Sequence, residues 1–231
     1  MILLDIGNTH TRIAESRGEA VRILRTVPTA ELAAEMIPPG ELAAASVAPW
    51  AAERLKGLCI NYIGAANCRE LIDFSLVDSA TLGADRVANA VAAAEFYPLP
   101  ALVVDCGSAI TFELVDARRR FLGGAILPGR ALMRKALNTG TAQLPEVPLD
   151  GGIPEHPGRN TVEAIRLGVD GGAVGMVREV CRRLSSGLEV RSIVLAGGDA
   201  AFFAQYFPEW SVAPEEFTLH GVRLAAGKRF F

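Results

Sequence analysis

The residues best suited to chemistry form a short segment that occurs twice in the chain. The first copy, residues 5–11, reads Asp-Ile-Gly-Asn-Thr-His-Thr, and the second, residues 105–111, reads Asp-Cys-Gly-Ser-Ala-Ile-Thr. At a constant offset of 100 residues (5 to 105, 11 to 111) the Asp, Gly and Thr positions coincide, and Asn8 is matched by Ser108. Each copy follows a short apolar run, so we expect each at the end of a buried strand.

This segment has the groups that bind phosphate. Glycine permits a sharp bend and lets a ligand approach the backbone amides. Those amides and the hydroxyls of Thr9 and Thr11 can bond phosphate oxygens, and a carboxylate at a strand end can hold a cation beside them. The alternative is a simple tight turn, since Asp, Asn, Gly and Thr all favour turns. A single copy would favour that alternative, whereas two copies in matching context favour a cleft that grips a nucleotide from both sides.

The elements that must position the two segments alternate between strands and helices, which indicates an α/β protein. Repetition at half the chain length predicts two related lobes, residues 1–100 and 101–231, that face each other across a cleft. Strands are expected at 2–6, 11–16, 20–26, 42–48, 58–63, 101–107, 110–115, from 121, and at 192–196. Helices are expected at 29–37, from 49, at 81–96, 130–138 and 160–184, just after 199, and from 219. A turn is expected at Gly123, Gly124, Pro128 and Gly129, and a long loop at 140–159.

Composition excludes several classes of function. The net charge of −3 argues against a surface for nucleic acid or anionic membrane, which needs clustered Lys and Arg. Charged residues interrupt every apolar stretch, and the N-terminus lacks a signal-peptide pattern, so we expect a cytoplasmic protein. The four cysteines form no C-x-x-C pair, which disfavours zinc sites and disulfides.

Two common nucleotide-binding motifs are missing from the sequence. It contains neither G-x-x-x-x-G-K-[ST] nor a G-x-G-x-x-G that follows a strand. None of the three lysines lies in a phosphate-type turn. Positive charge at the first segment would therefore come from Arg12 or from metal ions.

Several further motifs, taken in order, carry a resemblance to a known family. They are Asp5-Ile6-Gly7-Asn8-Thr9, Leu82-Gly83-Ala84-Asp85-Arg86, Asp105-Cys106-Gly107-Ser108-Ala109-Ile110-Thr111, Gly123-Gly124-Ala125-Ile126-Leu127-Pro128-Gly129, Thr141-Ala142-Gln143-Leu144-Pro145 and Asn160-Thr161. Each is weak alone, but their order and spacing resemble the type III pantothenate kinases over nearly the whole chain. That family belongs to the acetate-kinase/Hsp70/actin (ASKHA) superfamily, so the resemblance implies two duplicated ribonuclease-H-like lobes around a central cleft.

The resemblance also implies roles for individual residues. The family transfers a phosphoryl group from ATP to pantothenate, giving 4′-phosphopantothenate in the first step of coenzyme A biosynthesis. The implied ATP-binding residues are Asp5, Ile6, Gly7, Asn8, Thr9, His10, Thr11, Arg12 and Ser108. Asp85 would be the general base, and the implied substrate-binding residues are Gly83, Ala84, Asp85, Arg86 and Thr161. Asp105 would ligate a monovalent cation, K⁺ or NH₄⁺, that the family requires. Mg²⁺ would accompany ATP, and the protein would be a homodimer with sites completed near the subunit interface.

Structural explanations compete with some of these roles. Asp85 falls in the first turn of a predicted helix, where the helix dipole alone favours an acid, and Arg86 could be its surface partner. Asn160 and Glu163 match a helix N-cap and its N3 partner, which needs no ligand.

The sequence departs from the family at one important place. Members usually carry Tyr-x-Asn-Pro before Gly-Ala-Asp-Arg, and that Tyr contacts pantothenate. Here the three positions hold Leu76, Asp78 and Ser79. The second segment also has Ser108 where Thr is usual, a mild change that keeps the hydroxyl. The loss of the phenol leaves two alternatives open: a kinase of another small hydroxylated acid, or a catalytically weak homologue with a regulatory role.

Overall fold

Two five-stranded sheets dominate the computed structural model, which describes residues 1–227. The C-terminal aromatic pair Phe230 and Phe231 lies outside the described residues. The strands of the first sheet are β1 (Ile2–Ile6), β2 (His10–Arg17), β3 (Ala20–Pro28), β4 (Leu42–Ser46) and β5 (Ile60–Tyr62). Their order is β3-β2-β1-β4-β5, with β1 antiparallel to β2 and parallel to β4.

The second sheet repeats this topology strand for strand. Its strands are β6 (Ala101–Cys106), β7 (Ala109–Val115), β8 (Phe121–Pro128), β9 (Ser192–Ala196) and β10 (Ser211–Val212), in the order β10-β9-β6-β7-β8. The central strand β6 is antiparallel to β7 and parallel to β9, as β1 is to β2 and β4. The duplication expected from the repeated segment is therefore confirmed at the level of whole sheets.

Seven α-helices complete the described part of the chain. They are α1 (Pro49–Ala52), α2 (Ala84–Phe96), α3 (Arg130–Gly140), α4 (Thr161–Arg166), α5 (Gly172–Leu184), α6 (Ala200–Ala204) and α7 (Phe217–Gly227), and a π-helical turn, Leu167–Gly171, joins α4 to α5. None of these helices is long and apolar enough to cross a membrane.

Helices α2 and α7 connect the two sheets. Val87 of α2 and Leu219 of α7 share one buried cluster with Leu3 of the first sheet and Val115 of the second. The helices touch at Gly221, where an added Cβ would lie 2.0 Å from the carbonyl oxygen of Ala88. The alanine-rich interior of α2 fits this close approach, because small side chains let helix backbones come together.

Three expectations from the sequence were wrong. The helix predicted at 29–37 is two short 3₁₀ turns, Thr29–Glu31 and Ala34–Met36, since Ala33 between them is extended and the following prolines restrict the chain. The turn predicted around Gly123 and Gly124 is part of β8. Finally, the helix predicted from Thr81 begins at Ala84.

The N-cap predicted before the 160–184 helix is confirmed. The Asn160 side-chain oxygen accepts the backbone N–H of Glu163 at 3.0 Å, and the Glu163 carboxylate accepts the N–H of Arg159 at 2.8 Å. We expect Asn160→Ala to lower the free energy of unfolding by about 1 kcal/mol, because an N–H of the first turn loses its acceptor. Asn160→Ser, which keeps an acceptor, should stay close to wild type in urea denaturation. Equal losses in both variants would contradict the capping role.

Candidate active site

The two repeated segments line opposite sides of one cleft, whose volume is about 610 Å³. Each segment contains a bend between two strands: the first bend joins β1 to β2 and the second joins β6 to β7. Thr9 Oγ1 of the first bend lies 2.7 Å from Ser108 Oγ of the second bend, within hydrogen-bonding distance. Of the sequence-predicted site residues, the cleft is lined by Asp5, Gly7, Asn8, Thr9, His10, Arg12, Asp85, Asp105 and Ser108. Residues 99 positions apart therefore meet at a single site.

The bends have matching internal hydrogen bonds. Gly7 N–H donates to the His10 carbonyl at 3.1 Å, and Gly107 N–H donates to the Ala109 carbonyl at 3.0 Å. The residue after β3 and the residue after β8 then donate to the bends: Thr29 N–H donates to the Thr9 carbonyl and Gly129 N–H to the Ser108 carbonyl, both at 2.9 Å. Thr9 and Ser108 are thus equivalent positions, and they are the two residues in contact.

This equivalence corrects the alignment at a constant offset, which paired Thr11 with Thr111. In the β1–β2 pair Asp5 lies opposite Arg12, whereas in the β6–β7 pair Asp105 lies opposite Thr111. The first bend is one residue longer, so Arg12 is the counterpart of Thr111. Thr11 is fully buried behind the bend with its hydroxyl 3.0 Å from that of Thr29, and Ile6 is buried as well. The Thr11 hydroxyl expected at phosphate is therefore directed elsewhere.

Four aspartates, Asp5, Asp85, Asp105 and Asp199, and two cations, Arg12 and Lys135, line the cleft. Arg12 Nη1 donates to Asp5 Oδ2 at 3.1 Å. Burial nevertheless raises the pKa of Asp5 to about 6; Arg12 opposes the shift, and the charges of Asp105 and Asp85 add to it. Burial also raises the pKa of both Asp85 and Asp105. The cleft wall thus carries more carboxylates than cations, which suits cationic ligands.

Asp105 is hydrogen-bonded by Asn89 of α2, and Asn89 is itself hydrogen-bonded by Thr218 of α7. The Asn89 amide, fully buried one turn after Asp85 on α2, donates to Asp105 Oδ2 at 2.8 Å. The Asn89 oxygen accepts the hydroxyl of Thr218 on α7, also at 2.8 Å. Because both ends of the amide are bonded, its orientation is fixed and it presents a donor to the carboxylate.

Asp85 enters the cleft from the first turn of α2. Its Oδ1 accepts the backbone N–H of Arg86 at 2.7 Å, and Gly83 precedes the helix as N-cap. A Cβ at Gly83 would lie 2.6 Å from Asp85 Oδ1, so the glycine leaves room for the carboxylate.

Arg86 has a partner that the sequence did not reveal. Its Nε donates to the fully buried Glu113 at 2.9 Å, and its Nη2 donates to the Phe112 carbonyl at 2.8 Å. Its ion pair is with β7 and not with Asp85. The guanidinium passes Gly124, where a Cβ would lie 1.6 Å from the Phe112 carbonyl oxygen and 2.7 Å from Arg86 Nη2. The close backbone of β7, together with the guanidinium, explains a glycine inside β8.

Thr161 lies away from Asp85, in a separate apolar groove. The groove runs between α3 and the α4–π segment, and its lining residues are Met133, Ala136, Leu137, Leu144, Thr161, Ala164, Ile165, Gly168 and Val169. Gly83, Ala84 and Arg86 adjoin Asp85 in sequence but do not line the main cleft within the described residues.

Sequence reasoning missed several residues of the cleft wall. They are Val47, Ala131, Leu132, Lys135, Leu149, Gly197, Gly198, Asp199 and Thr218. The one usable signal was Gly197-Gly198-Asp199, a glycine turn directly after a buried strand. Lys135 adds a cation from α3 where the sequence offered only Arg12.

Other centres are not apparent in the part of the chain that the structure describes. No group of three or more His, Cys, Asp or Glu side chains within residues 1–227 is arranged to hold a metal ion. All four cysteines lie within residues 1–227, none of them forms a disulfide, and three are buried.

Comparison with known proteins decides the family. A sequence model of the type III pantothenate kinases matches residues 1–183. The chain belongs to the type III pantothenate kinase family. A relative named type III pantothenate kinase, from Akkermansia muciniphila, is 36% identical over 243 aligned residues that cover 98% of each protein. The resemblance drawn from the ordered motifs is confirmed, and membership makes the chain a kinase.

Solved structures agree on the fold. A conserved putative Baf family transcriptional activator from Campylobacter jejuni superposes with a TM-score of 0.65 at 22% identity, over 99% of this chain and 98% of its own. A putative 2-dehydro-3-deoxygalactonokinase from Sinorhizobium meliloti gives 0.64 at 15% identity, over 99% and 96%. The predicted actin-like architecture of two duplicated lobes is confirmed.

The buried carboxylates predict how stability depends on pH. Burial raises the pKa of Glu113 from 4.5 to about 8 and that of Asp5 from 3.8 to about 6. Raised folded-state values mean that these groups contribute full stability below their unfolded pKa and lose it as pH rises through the folded pKa. We therefore expect the Tm of the ligand-free protein to fall as pH rises from about 5 to 8.

Glu113→Gln tests this expectation, because a group that does not titrate cannot add to the slope. The Tm of this variant should depend less on pH between about 6 and 8. Glu179→Gln is the matched control: Arg182 and Arg183 lower the pKa of this exposed carboxyl to about 2, so it stays ionised throughout the range. An unchanged slope in Glu113→Gln would contradict the assignment.

Proposed function

We propose that the protein transfers the γ-phosphoryl group of ATP to the hydroxyl of pantothenate and so supplies 4′-phosphopantothenate for coenzyme A synthesis. The observation that carries this proposal is the meeting of two equivalent bends, with Thr9 and Ser108 2.7 Å apart, in the same cleft as Asp85. Phosphoryl transfer depends mainly on positioning and on neutralising charge, which is what such a cleft supplies.

In this proposal the first bend binds the triphosphate. The amides that follow Gly7, the Thr9 hydroxyl and the Arg12 guanidinium face the cleft and offer donors to phosphate oxygens. Ser108 contacts the nucleotide from the opposite side. Ile6 and Thr11, both buried, would contribute through their place in the strands beneath the bend.

Asp85 is proposed as the general base. It would accept the proton of the substrate hydroxyl as that oxygen attacks the γ-phosphorus. Burial raises its pKa and so makes it a better base than an exposed aspartate. Gly83 and Ala84 would contact the acceptor beside it, and Arg86, held by Glu113, would be a preset cation for an acidic substrate.

The donor set fits the cations that such a reaction uses. Asp5, Asp85 and Asp105 face one cleft, and of these three carboxylates Arg12 forms an ion pair with Asp5, while its Nε lies 3.8 Å from Glu215 Oε1. We propose that Asp105 binds K⁺ or NH₄⁺ and that Mg²⁺ enters with ATP. Bound cations would neutralise the charge that develops on the phosphoryl oxygens.

We also propose that the protein works in the cytoplasm as a homodimer. Residues 1–100 and 101–231 would form the two lobes, joined through α2 and α7. Because Thr161 lies in the apolar groove and not beside Asp85, a second copy would bring it to the acceptor. The groove, lined by aliphatic side chains, suits an interface between subunits.

A second candidate is phosphorylation of a different small hydroxylated acid. Leu76 favours it, because a 56% exposed leucine stands where relatives place a phenol that contacts pantothenate. Leucine can pack against an acceptor but cannot bond its polar atoms.

The deciding assay mixes purified protein with ATP, Mg²⁺, K⁺ and a panel of hydroxylated acids that includes pantothenate. We expect pantothenate to have the highest kcat/KM of the acceptors in the panel. A better acceptor would establish the second candidate. No transfer to any acceptor under any cation condition would leave a nucleotide-binding homologue with a regulatory role.

A further inference from the structure

We infer that Arg130 is a positioning residue for the nucleotide side of the cleft, acting through a buried ion network that fixes the turn Gly197–Asp199. The inference rests on the proposed use of this cleft for ATP. Arg130 is the first residue of α3 and is 3% exposed. Because it is buried, it would affect a ligand in the cleft through the residues of the cleft wall that it contacts.

The contact between Arg130 and Asp199 is bidentate. Arg130 Nε donates to Asp199 Oδ2 at 2.7 Å and Nη2 donates to Oδ1 at 2.5 Å. The guanidinium also stacks on the Phe202 ring, 3.4 Å from its centroid. A planar fork that is bonded along one edge and stacked on one face has a single orientation. Asp199 therefore has both of its oxygens fixed.

A second carboxylate holds Arg130 from behind. Asp170, fully buried in the π-helical turn, lies 3.3 Å from Arg130 Nη1 and also pairs with Arg134. Arg134 in turn donates to the carbonyls of Val147 and Pro148. Two cations and two anions thus alternate, and removing one member would leave a buried charge uncompensated.

Asp199 is hydrogen-bonded to the second bend, so a displacement of Asp199 would also displace the proposed phosphate site. Its backbone N–H donates to the Cys106 carbonyl in the second bend at 2.9 Å. In the same turn Gly197 has a φ of +85°, and a Cβ there would lie 2.4 Å from Asp105 Oδ1. Although Asp199 occupies the N-cap position of α6, its side chain makes no cap bond, because Arg130 engages it instead.

Loss of this anchor should be visible in how the enzyme handles ATP. We expect Arg130→Met to raise the KM for ATP by about tenfold to a hundredfold, since displacements near 1 Å carry penalties of that size. The KM for pantothenate should stay within about twofold. Arg130→Lys, which keeps the charge but lacks the fork, should fall between wild type and Arg130→Met, and its fold is protected by the retained charge.

Arg182→Gln is the matched control, because Arg182 also makes two bonds to one carboxylate, Glu179, but on the exposed face of α5. It should leave both KM values unchanged. The dissociation constant of MgATP, measured by calorimetry without acceptor, should follow the KM for ATP across the series.

The outcomes separate this inference from the proposed function. If wild type binds no MgATP, the proposed function fails first. If wild type binds MgATP and Arg130→Met and Arg130→Lys bind it equally well, with only a lower Tm, Arg130 is merely structural and the inference is overturned. Equal increases in the KM for ATP and for pantothenate would overturn it too.

Discussion

Asp85→Asn is expected to lower kcat for phosphoryl transfer by about 10²–10⁴-fold, the range typical of losing a general base. The amide keeps the size of the carboxylate and can still accept the Arg86 N–H that Asp85 now accepts at 2.7 Å. It cannot take a proton from the acceptor hydroxyl. The local structure should therefore be retained while kcat falls.

The expected stability of this variant follows from the electrostatics of the cleft. Burial and the nearby charge of Asp105 both raise the pKa of Asp85, so its ionised form is disfavoured in the folded protein. Replacing it with a neutral group removes this cost. We therefore expect Asp85→Asn to be as stable as wild type or slightly more so at pH 8.

The measurement is steady-state kinetics at saturating MgATP together with urea denaturation of each protein. Glu95→Gln is a suitable control, since Glu95 lies on the same helix but is exposed and pairs with Arg119 at 3.4 Å. It should match wild type in both assays. Near-normal turnover in Asp85→Asn would remove Asp85 as the base, whereas loss of turnover together with stability would indicate a structural role.

The two-lobed fold was predictable because the sequence contains the same segment in each half. A buried strand, an acidic glycine bend and a hairpin recur at an offset of 100 residues, and the two sheets have the same strand order. An alignment at a constant offset of 100 residues could not show that the first bend is one residue longer than the second. Thr11 and Thr111 align by number, yet the longer first bend buries Thr11 and brings Arg12 to the cleft. The strand register and the hydrogen bonds of the two bends show this.

The rest of the site depends on contacts between residues that are distant in sequence. Arg86 meets Glu113, 27 positions on, and Arg130 meets Asp199, 69 positions on. Neither pair has a spacing that signals a local motif. The helix wrongly predicted at 29–37 shows the opposite error, because apolar spacing alone favoured a helix where the chain only crosses from β3 to β4.

The turn after β9 offers the sharpest test of how the second bend is held, because two adjacent glycines differ in their surroundings. Gly197 has a φ of +85°, and a Cβ there would lie 2.4 Å from Asp105 Oδ1 and 2.6 Å from the Cys106 carbonyl oxygen. At Gly198 φ is not in the left-handed region, and a Cβ would meet nothing within 4 Å. One added methyl group should therefore be costly at Gly197 and nearly neutral at Gly198.

Gly197→Ala is expected to lower the free energy of unfolding by about 2–3 kcal/mol, since it combines overpacking with backbone strain. It should also weaken MgATP binding by about tenfold or more, because relief of the clash moves Asp105 or separates the turn from the second bend. Gly198→Ala should change the unfolding free energy by less than about 0.5 kcal/mol. Urea denaturation and calorimetry with MgATP measure both effects. If Gly197→Ala matched Gly198→Ala in both, the turn would not be packed against Asp105, and a network that acts through it would have nothing to position.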